Sequence, residues 1–350
     1  MIEYLQTFIA QRATNPLLNI VIILVQIAVV IGIGLLHVAY ATYWERKVIA
    51  HMQVRLGPRE VGPYGLLQPF ADGIKLFFKE DIIPANADKP LFYLAPVIFF
   101  TSAITSLAVV PFFSGFVIAD INVGLLFLFA MSSLGAYGLI LSGWSSNSKY
   151  AFLGGLRSAS QVISYEIAMG LSLVGVMMMA DSLNLSDIVR AQHQYPVGVY
   201  VIPQFLGFLV FLAAAFAETN RLPFDLPEAE SELVAGYFTE YSGFRFALFF
   251  LGEYTGMLVM SSMCTVCFLG GWTIPRFVTD LLPFLSYVPG IVWFLAKVYA
   301  FMFFYYWVRA TLPRYRYDQL MAIGWKILIP LALVNIVMTG LVKAWVKGLL

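Results

Sequence analysis

The sequence predicts an all-α, polytopic membrane protein, with eight transmembrane helices and an interfacial amphipathic helix after the first. Three observations carry that prediction. Of 350 residues, 60% are hydrophobic and only 12% charged, whereas roughly a quarter of a soluble domain is charged. Runs of about twenty apolar residues recur along the whole length, each long enough to cross a hydrocarbon core of about 30 Å as a helix. Lys and Arg also divide unevenly between alternate loops, as charges that set membrane topology do.

The spans are expected at about 17–43, 91–112, 121–141, 158–180, 203–217, 244–269, 288–308 and 324–346, forming one transmembrane domain over residues 1–350. The loops after spans one, three, five and seven hold fifteen cations: Arg46, Lys47, Arg55, Arg59, Lys75, Lys79, Lys89, Lys149, Arg157, Arg221, Arg245, Arg309, Arg314, Arg316 and Lys326. Five lie on the other side, Arg12, Arg190, Arg276, Lys343 and Lys347, and Lys297 falls inside span seven. The positive-inside rule therefore puts the odd-numbered loops in the cytoplasm and both termini outside. No basic n-region with a small-residue cleavage site precedes the first span, which is expected to be retained.

The first cytoplasmic loop is long, and its stretch at about 63–80 reads as a helix lying in the membrane interface. Leu66, Phe70, Ile74 and Phe77 share one face, and Gln68, Asp72, Lys75 and Lys79 the other. Such a helix rests on the bilayer or against a partner, and a plain surface anchor is the simpler alternative.

The acidic loop 218–243 is the least expected feature of a lipid-adapted chain. Glu218, Asp225, Glu228, Glu230, Glu232 and Glu240 crowd between two apolar runs. Pro223 and Pro227 interrupt the backbone, and Pro227 suits the first turn of a short helix on which Glu228 and Glu232 share a face. Capping of that helix start explains one or two of these acids, but not a row beginning at Glu218.

Glu166 and Glu253 fall near the middle of spans four and six. An ionised carboxylate there costs about 2.5–3.5 kcal/mol, so such residues face a bundle interior or water and mark ion or proton routes, or hydrogen-bond between helices. Gly252 and Gly256 flank Glu253 as a small-xxx-small surface for close packing on a neighbour. Cys264 and Cys267 lie in an apolar span, where two incidental small side chains are the simple reading. His37, His51 and His193 stand apart, and neither a dinucleotide-binding glycine motif nor a phosphate-binding loop is present. No metal site and no bound electron carrier are expected on this chain, and nothing suggests nucleic acid as a partner.

Several longer motifs carry a family resemblance. Glu-Arg-Lys at 45–47, QVRLGPREVGPYGLLQPFADGIKLFFKED from Gln53, GWSSNSKY from Gly143, ETNRLPFDLPEAESEL from Glu218, TEYSG from Thr239 and LPRYRYDQL from Leu312 closely resemble the H-subunit family of proton-pumping NADH:quinone oxidoreductase, respiratory complex I. NADH dehydrogenase subunit 1 is the mitochondrial counterpart. The resemblance implies a subunit, carrying no cofactor of its own, of a translocating enzyme in the bacterial cytoplasmic membrane. Its partners are other complex I subunits, both the hydrophilic ones around the quinone site and small membrane ones, and membrane lipid. Quinone is the substrate, while NADH, FMN and iron–sulfur clusters belong to partner subunits. Carried over by residue, Arg46, Arg55 and Asp72 line the quinone chamber. Glu166, Glu218, Asp225, Glu228, Glu230, Glu232 and Glu253 form the acidic path that couples it to proton translocation, and spans two to six resemble the five-helix unit of the pumping subunits. A homologous component of a membrane-bound hydrogenase-type complex, a stand-alone ion transporter and a structural anchor are the alternatives.

Overall fold

The computed structural model describes residues 16–227, 234–281 and 283–346, and the elements named among them are all helical. In chain order the α-helices are α1 (Pro16–Met52), α2 (Gln68–Phe78), α3 (Lys89–Ser106), α4 (Gly124–Ser145), α5 (Lys149–Ala180), α6 (Leu185–Gln194), α7 (Phe205–Glu218), α8 (Gly243–Phe268), α9 (Arg276–Leu281), α10 (Gly290–Thr311), α11 (Tyr317–Ile323) and α12 (Ile329–Val346), with 3-10 turns at Pro63–Gly65, Leu107–Val109, Gly236–Phe238 and Pro283–Tyr287. A π-helical turn, Gly324–Leu328, joins α11 to α12.

Among the described residues seven helical runs, α1, α3, α4, α5, α8, α10 and α11 with α12, are long and apolar enough to cross a membrane. The eighth expected span is shorter. α7 has 14 residues, about 21 Å at 1.5 Å per residue, less than a hydrocarbon core. Polar residues end it, because Thr219, Asn220 and Arg221 follow directly and are all buried. The segment after α7 thus turns into the bundle instead of leaving it. α1 runs on to Met52 and α5 starts at Lys149, each about nine residues beyond the expected span, since the membrane-length apolar stretch ends before the helical backbone does.

α8 is the central helix, with every residue from Met257 to Phe268 buried. It packs on α3 and α10, while α5 joins α4, α7 and α12. Its contact with α3 needs a glycine: a Cβ at Gly252 would meet the Phe99 ring at 2.6 Å, whereas one at Gly256 would meet nothing within 4 Å. The close approach therefore rests on Gly252 alone. Outside, Ile20, Leu24 and Ile33 of α1 and Val334, Leu341 and Trp345 of α12 are exposed. In water such a surface would drive association, and in a bilayer it meets its own kind.

The two ends of the bundle differ. At one end the odd-numbered loops interlock, with Arg245 paired to Asp81 at 2.5 Å, Asp88 N donating to Ser145 O and Tyr315 N donating to Pro223 O. At the other, Asn184 caps α6, a helix the sequence pattern did not announce, accepting from Ser186 N at 2.8 Å and donating to Asp120. Here Lys297 donates from within α10 to the carbonyls of Leu269, Gly271 and Thr273 at 2.6, 2.9 and 2.7 Å.

Candidate functional site

At the interlocked end, α1, α8, α10 and the loop 53–66 enclose a cavity of about 850 Å³ whose lining includes Glu45, Arg46, Arg55, Arg59, Tyr254 and Arg309. The loop holds its shape through local chemistry. Tyr43 donates its hydroxyl to Tyr64 O at 2.7 Å. Gly65 has φ 81°, and a Cβ there would strike Pro58 O at 2.3 Å, so only glycine closes the turn. Arg55 lies on this lining, its Nε donating to Gln53 at 2.8 Å.

A second cavity of about 360 Å³ adjoins it beneath α2, sharing Thr42, Arg46, Phe250 and Tyr254 with the first. Its remaining walls are largely apolar, among them Val38, Leu76, Phe77 and Phe244. Arg46 stands at the junction, donating to Asp72 Oδ2 at 2.7 Å, while Gln68 donates to the other oxygen of Asp72 at 3.1 Å. Gln68 and Asp72 of the expected polar face of α2 are thus turned to α1, while on the expected apolar face Ile74 is exposed and Phe70 and Phe77, still largely accessible, pack on Tyr40 and Phe244.

Behind the larger cavity lies a buried charge cluster. Glu45, on α1, accepts from both Arg221 and Arg309, and from the Tyr254 hydroxyl at 2.7 Å. Arg221 sits 3.3 Å from Glu45 and 2.6 Å from Glu253, over the Tyr254 ring at 4.3 Å. The side chains of Arg221, Glu45 and Glu253 are 6%, 4% and 7% exposed, so these are charges taken out of water and balanced against each other. Burial alone would depress Arg221, but the Glu253 and Glu45 carboxylates outweigh it and hold the guanidinium charged well above its usual range.

Gln161 of α5 fixes the segment that carries Arg221. Its amide reaches Ala217 O at 2.8 Å, Asn220 Oδ1 at 3.2 Å and Phe224 O at 2.8 Å. Asp225 follows, paired with Arg314 at 3.1 Å and leaving its second oxygen without a hydrogen bond. Burial raises its carboxyl above the ordinary aspartate range, and the Arg314 guanidinium opposes that rise.

Glu253 also faces inward, onto a cavity of about 70 Å³ that Glu218, Ser132 and Gly256 help to line. That is room for a few waters, each needing about 10–15 Å³. Ser132 donates to Glu218 Oε1, and Glu218 Oε2 is buried without a partner. The neighbouring Ser133 donates to Glu166 at 2.5 Å. One chain of shared residues therefore runs from Asp72 and Arg46, through Glu45 and Tyr254, to Arg221, Glu253, Glu218 and the α4 serines.

The family model for NADH dehydrogenase matches residues 25–340. Among curated proteins, the chain is 56% identical over 321 residues to the H subunit of NADH-quinone oxidoreductase from Rhodospirillum rubrum, covering 91% of this chain and 93% of that one. It is 54% identical over 322 residues to the H subunit from Paramagnetospirillum magneticum, covering 92% of each. The same protein from Rickettsia typhi matches at 55% over 317 residues, covering 90% and 91%. The chain belongs to the H-subunit family of NADH-quinone oxidoreductase.

As a member of that family it is a multi-pass component of complex I, an oxidoreductase. Of the residues singled out in its sequence, Arg46, Arg55 and Asp72 gather around the two outer cavities, Glu253 and Glu218 share the inner one, and Glu166 adjoins it through α4. Asp225 stands aside with Arg314. Glu228, Glu230 and Glu232, and the short helix expected for them, lie outside the described residues. Sequence reasoning missed Glu45, Arg221, Arg309 and Tyr254 as site residues. The arginines count there as topological charges, and Glu45 sits inside the Glu-Arg-Lys motif next to two cations, one of them, Arg46, exposed. The signal that would have found them is charge balance, since buried Glu253 requires a cation and Arg221 is the one nearest to it in the acidic loop.

Proposed function

We propose that this chain forms the membrane-side wall of the quinone chamber of complex I and couples quinone reduction to proton translocation. The observation that carries this reading is the pair Glu45 and Tyr254, which line the 850 Å³ cavity and also belong to the buried charge cluster. A change of charge in the chamber thereby acts within hydrogen-bond distance on a cluster whose far member, Glu253, lines the inner cavity with Glu218. The apolar side cavity under α2 suits the tail of a quinone arriving from lipid, with α2 lying in the membrane interface, and Arg46 with Asp72 marks the step to a polar lining. Quinone reduction takes up two protons and passes through negative charge, which carboxylates answer by coupled changes of protonation.

The same reading makes α7 the eighth crossing of a single transmembrane domain in the bacterial cytoplasmic membrane, its cytoplasmic end closed by the buried polar segment after it. It puts the interlocked loops in the cytoplasm against hydrophilic subunits that carry FMN and iron–sulfur clusters and accept electrons from NADH, and both termini in the periplasm. Asp225, Glu228, Glu230 and Glu232 join the acidic path from the cytoplasmic side, and Glu166 continues it into the membrane. A hydrogenase-type complex is disfavoured by relatives that are all named as NADH-quinone oxidoreductase subunits. The test is Glu218→Gln and Glu253→Gln in the assembled complex, reconstituted in vesicles. Both are expected to lose proton uptake and quinone reductase activity while NADH oxidation by an artificial acceptor persists, and full pumping by both variants refutes the reading.

A further inference from the structure

At the opposite end of the bundle, where Asn184 caps α6, a cavity of about 490 Å³ opens between α5, α7 and α12. Its buried wall is polar and satisfied internally. Asn335 donates to Gln204 Oε1 at 2.8 Å, and Gln204 donates to Thr339 at 2.7 Å and to the Met179 sulfur at 3.4 Å. Two glycines make room for this trio. A Cβ at Gly207 would meet Asn335 Nδ2 at 2.8 Å, and one at Gly175 would come closer still to Gln204 Oε1. The rim is different. Lys343 donates to Asp181 and to Met178 O, which occupies two of its three N–H groups. Tyr200 is 2% exposed and lines the cavity, and its hydroxyl makes no hydrogen bond among the described residues. Tyr195, its ring 5.8 Å from that of Tyr200, brings a second hydroxyl with no hydrogen bond there. Burial, and then Tyr195 and Asp181, push the Tyr200 hydroxyl up to about 12, so it stays a donor at neutral pH. Leaving a buried hydroxyl without a partner is costly, and an acceptor on an occupant would offset that cost. The outer wall is apolar: Met338 and Val342, one turn apart on α12, are 56% and 57% exposed.

We propose that this cavity holds one phospholipid with a primary-amine headgroup, phosphatidylethanolamine, its phosphate bound by Lys343 and the two tyrosine hydroxyls and its ammonium by Asp181. The depth is right for a headgroup. α5 stops at Ala180 and α7 begins at Phe205, so the rim lies where hydrocarbon gives way to the polar layer, the level at which tyrosines gather in membrane proteins. The volume falls within the range of about 300–1,000 Å³ usual for small-molecule sites. The charges select the headgroup. Lys343 and Asp181 present one charge of each sign, so a zwitterion meets both, whereas an anionic headgroup gains Lys343 and is opposed by Asp181. A carboxylate has about four lone-pair sites, so Asp181 accepts an ammonium beside Lys343, and a choline headgroup has no N–H to give it. The acyl chains leave over Met338 and Val342, which continue outward into the exposed Leu341 and Trp345.

The assembled complex is reconstituted into lipid discs made of equal parts of phosphatidylethanolamine, phosphatidylcholine and phosphatidylglycerol, then re-extracted in mild detergent and washed. Its retained lipids are counted by mass spectrometry for the parent, Tyr200→Phe, Lys343→Met and Asp181→Asn, with NADH oxidation by an artificial acceptor as the check on assembly. Tyr200→Phe and Lys343→Met are expected to retain phosphatidylethanolamine at this site about tenfold less well, or worse, as loss of one hydrogen bond to a charged group does. Asp181→Asn is expected to keep a phospholipid but to lose the preference for phosphatidylethanolamine over phosphatidylglycerol. Tyr200→Phe removes only a hydroxyl, so it decides the matter should Lys343→Met fail to assemble. A photoreactive benzoylphenylalanine at Val342 fixes the location, and is expected to attach to phosphatidylethanolamine above its share of the disc. Equal retention by parent and Tyr200→Phe, phosphatidylglycerol held as well as phosphatidylethanolamine by the parent, or attachment of the Val342 probe to a protein segment would each overturn the lipid site.

Discussion

The buried cluster around Arg221 makes a quantitative prediction through its geometry. Replacing Arg221 by Met removes the cation 2.6 Å from Glu253 and 3.3 Å from Glu45. At an effective dielectric near 20, a pair at the shorter distance is worth about 6 kcal/mol before desolvation is counted. Breaking such a buried pair costs about 3–5 kcal/mol, because the remaining charge is stranded. Glu45 retains Arg309, but among the described residues no other cation is paired with Glu253. Glu253→Gln is the milder change, since Arg221 then keeps Glu45. Removing both charges together, in Arg221→Met with Glu253→Gln, leaves neither stranded and should recover more than half of the loss seen in Arg221→Met. The assay is the fraction of solubilised complex that stays assembled on native gels after graded heating. A loss of about 3–5 kcal/mol corresponds to roughly 10² to several times 10³-fold in the equilibrium, enough to move the midpoint clearly. Strictly additive losses in the double variant would refute the view that these two residues balance each other.

Other consequences are smaller but as definite. Burial raises the Asp225 carboxyl above its ordinary value of 3.8, so its contribution is fully present below that pH and is lost as pH rises through the folded value. Asp225→Asn should flatten the pH dependence of thermal stability above pH 3.8, and an unchanged slope excludes Asp225 as its source. The Arg46–Asp72 pair is half exposed at the arginine and contributes no more than about 1 kcal/mol to folding. Arg46→Ala and Asp72→Asn should therefore assemble normally yet raise KM for quinone, with long-tailed quinones affected most, as steady-state kinetics would reveal. Gly252→Ala drives a methyl to 2.6 Å from the Phe99 ring and should cost about 1–3 kcal/mol. Gly256→Ala, open on all sides within 4 Å, should be neutral or stabilising by up to about 1 kcal/mol, and heating assays of the two complexes compare them directly.

What the sequence makes legible here follows from which forces act locally. Hydropathy runs identify seven helices of spanning length because each must satisfy its backbone alone in lipid. They misjudge the ends of α1 and α5, where helical backbone continues past the lipid-adapted residues. They also give no warning that the chain after α7 folds inward, since Arg221 is tolerated there only by partners at 45 and 253, far away in sequence. Glu218 and Glu253 are conspicuous as carboxylates in apolar runs. Their partners are not, because Ser132 and Ser133 look like any small polar pair in a membrane helix, and only the folded bundle brings them to the carboxylates.

Lys297 bears on motion as well as on structure. Its ammonium group ties three carbonyls just beyond the end of α8, where a positive charge also complements the helix dipole. One end of the central helix is anchored in this way, while its other half carries Tyr254 on the larger cavity and Glu253 on the inner one. α8 then behaves as a lever clamped at its far tip. On the proposed coupling role, a displacement started at the larger cavity is expected to be taken up at that end, by the segment around Arg221, and not by sliding the clamped rod through the bundle.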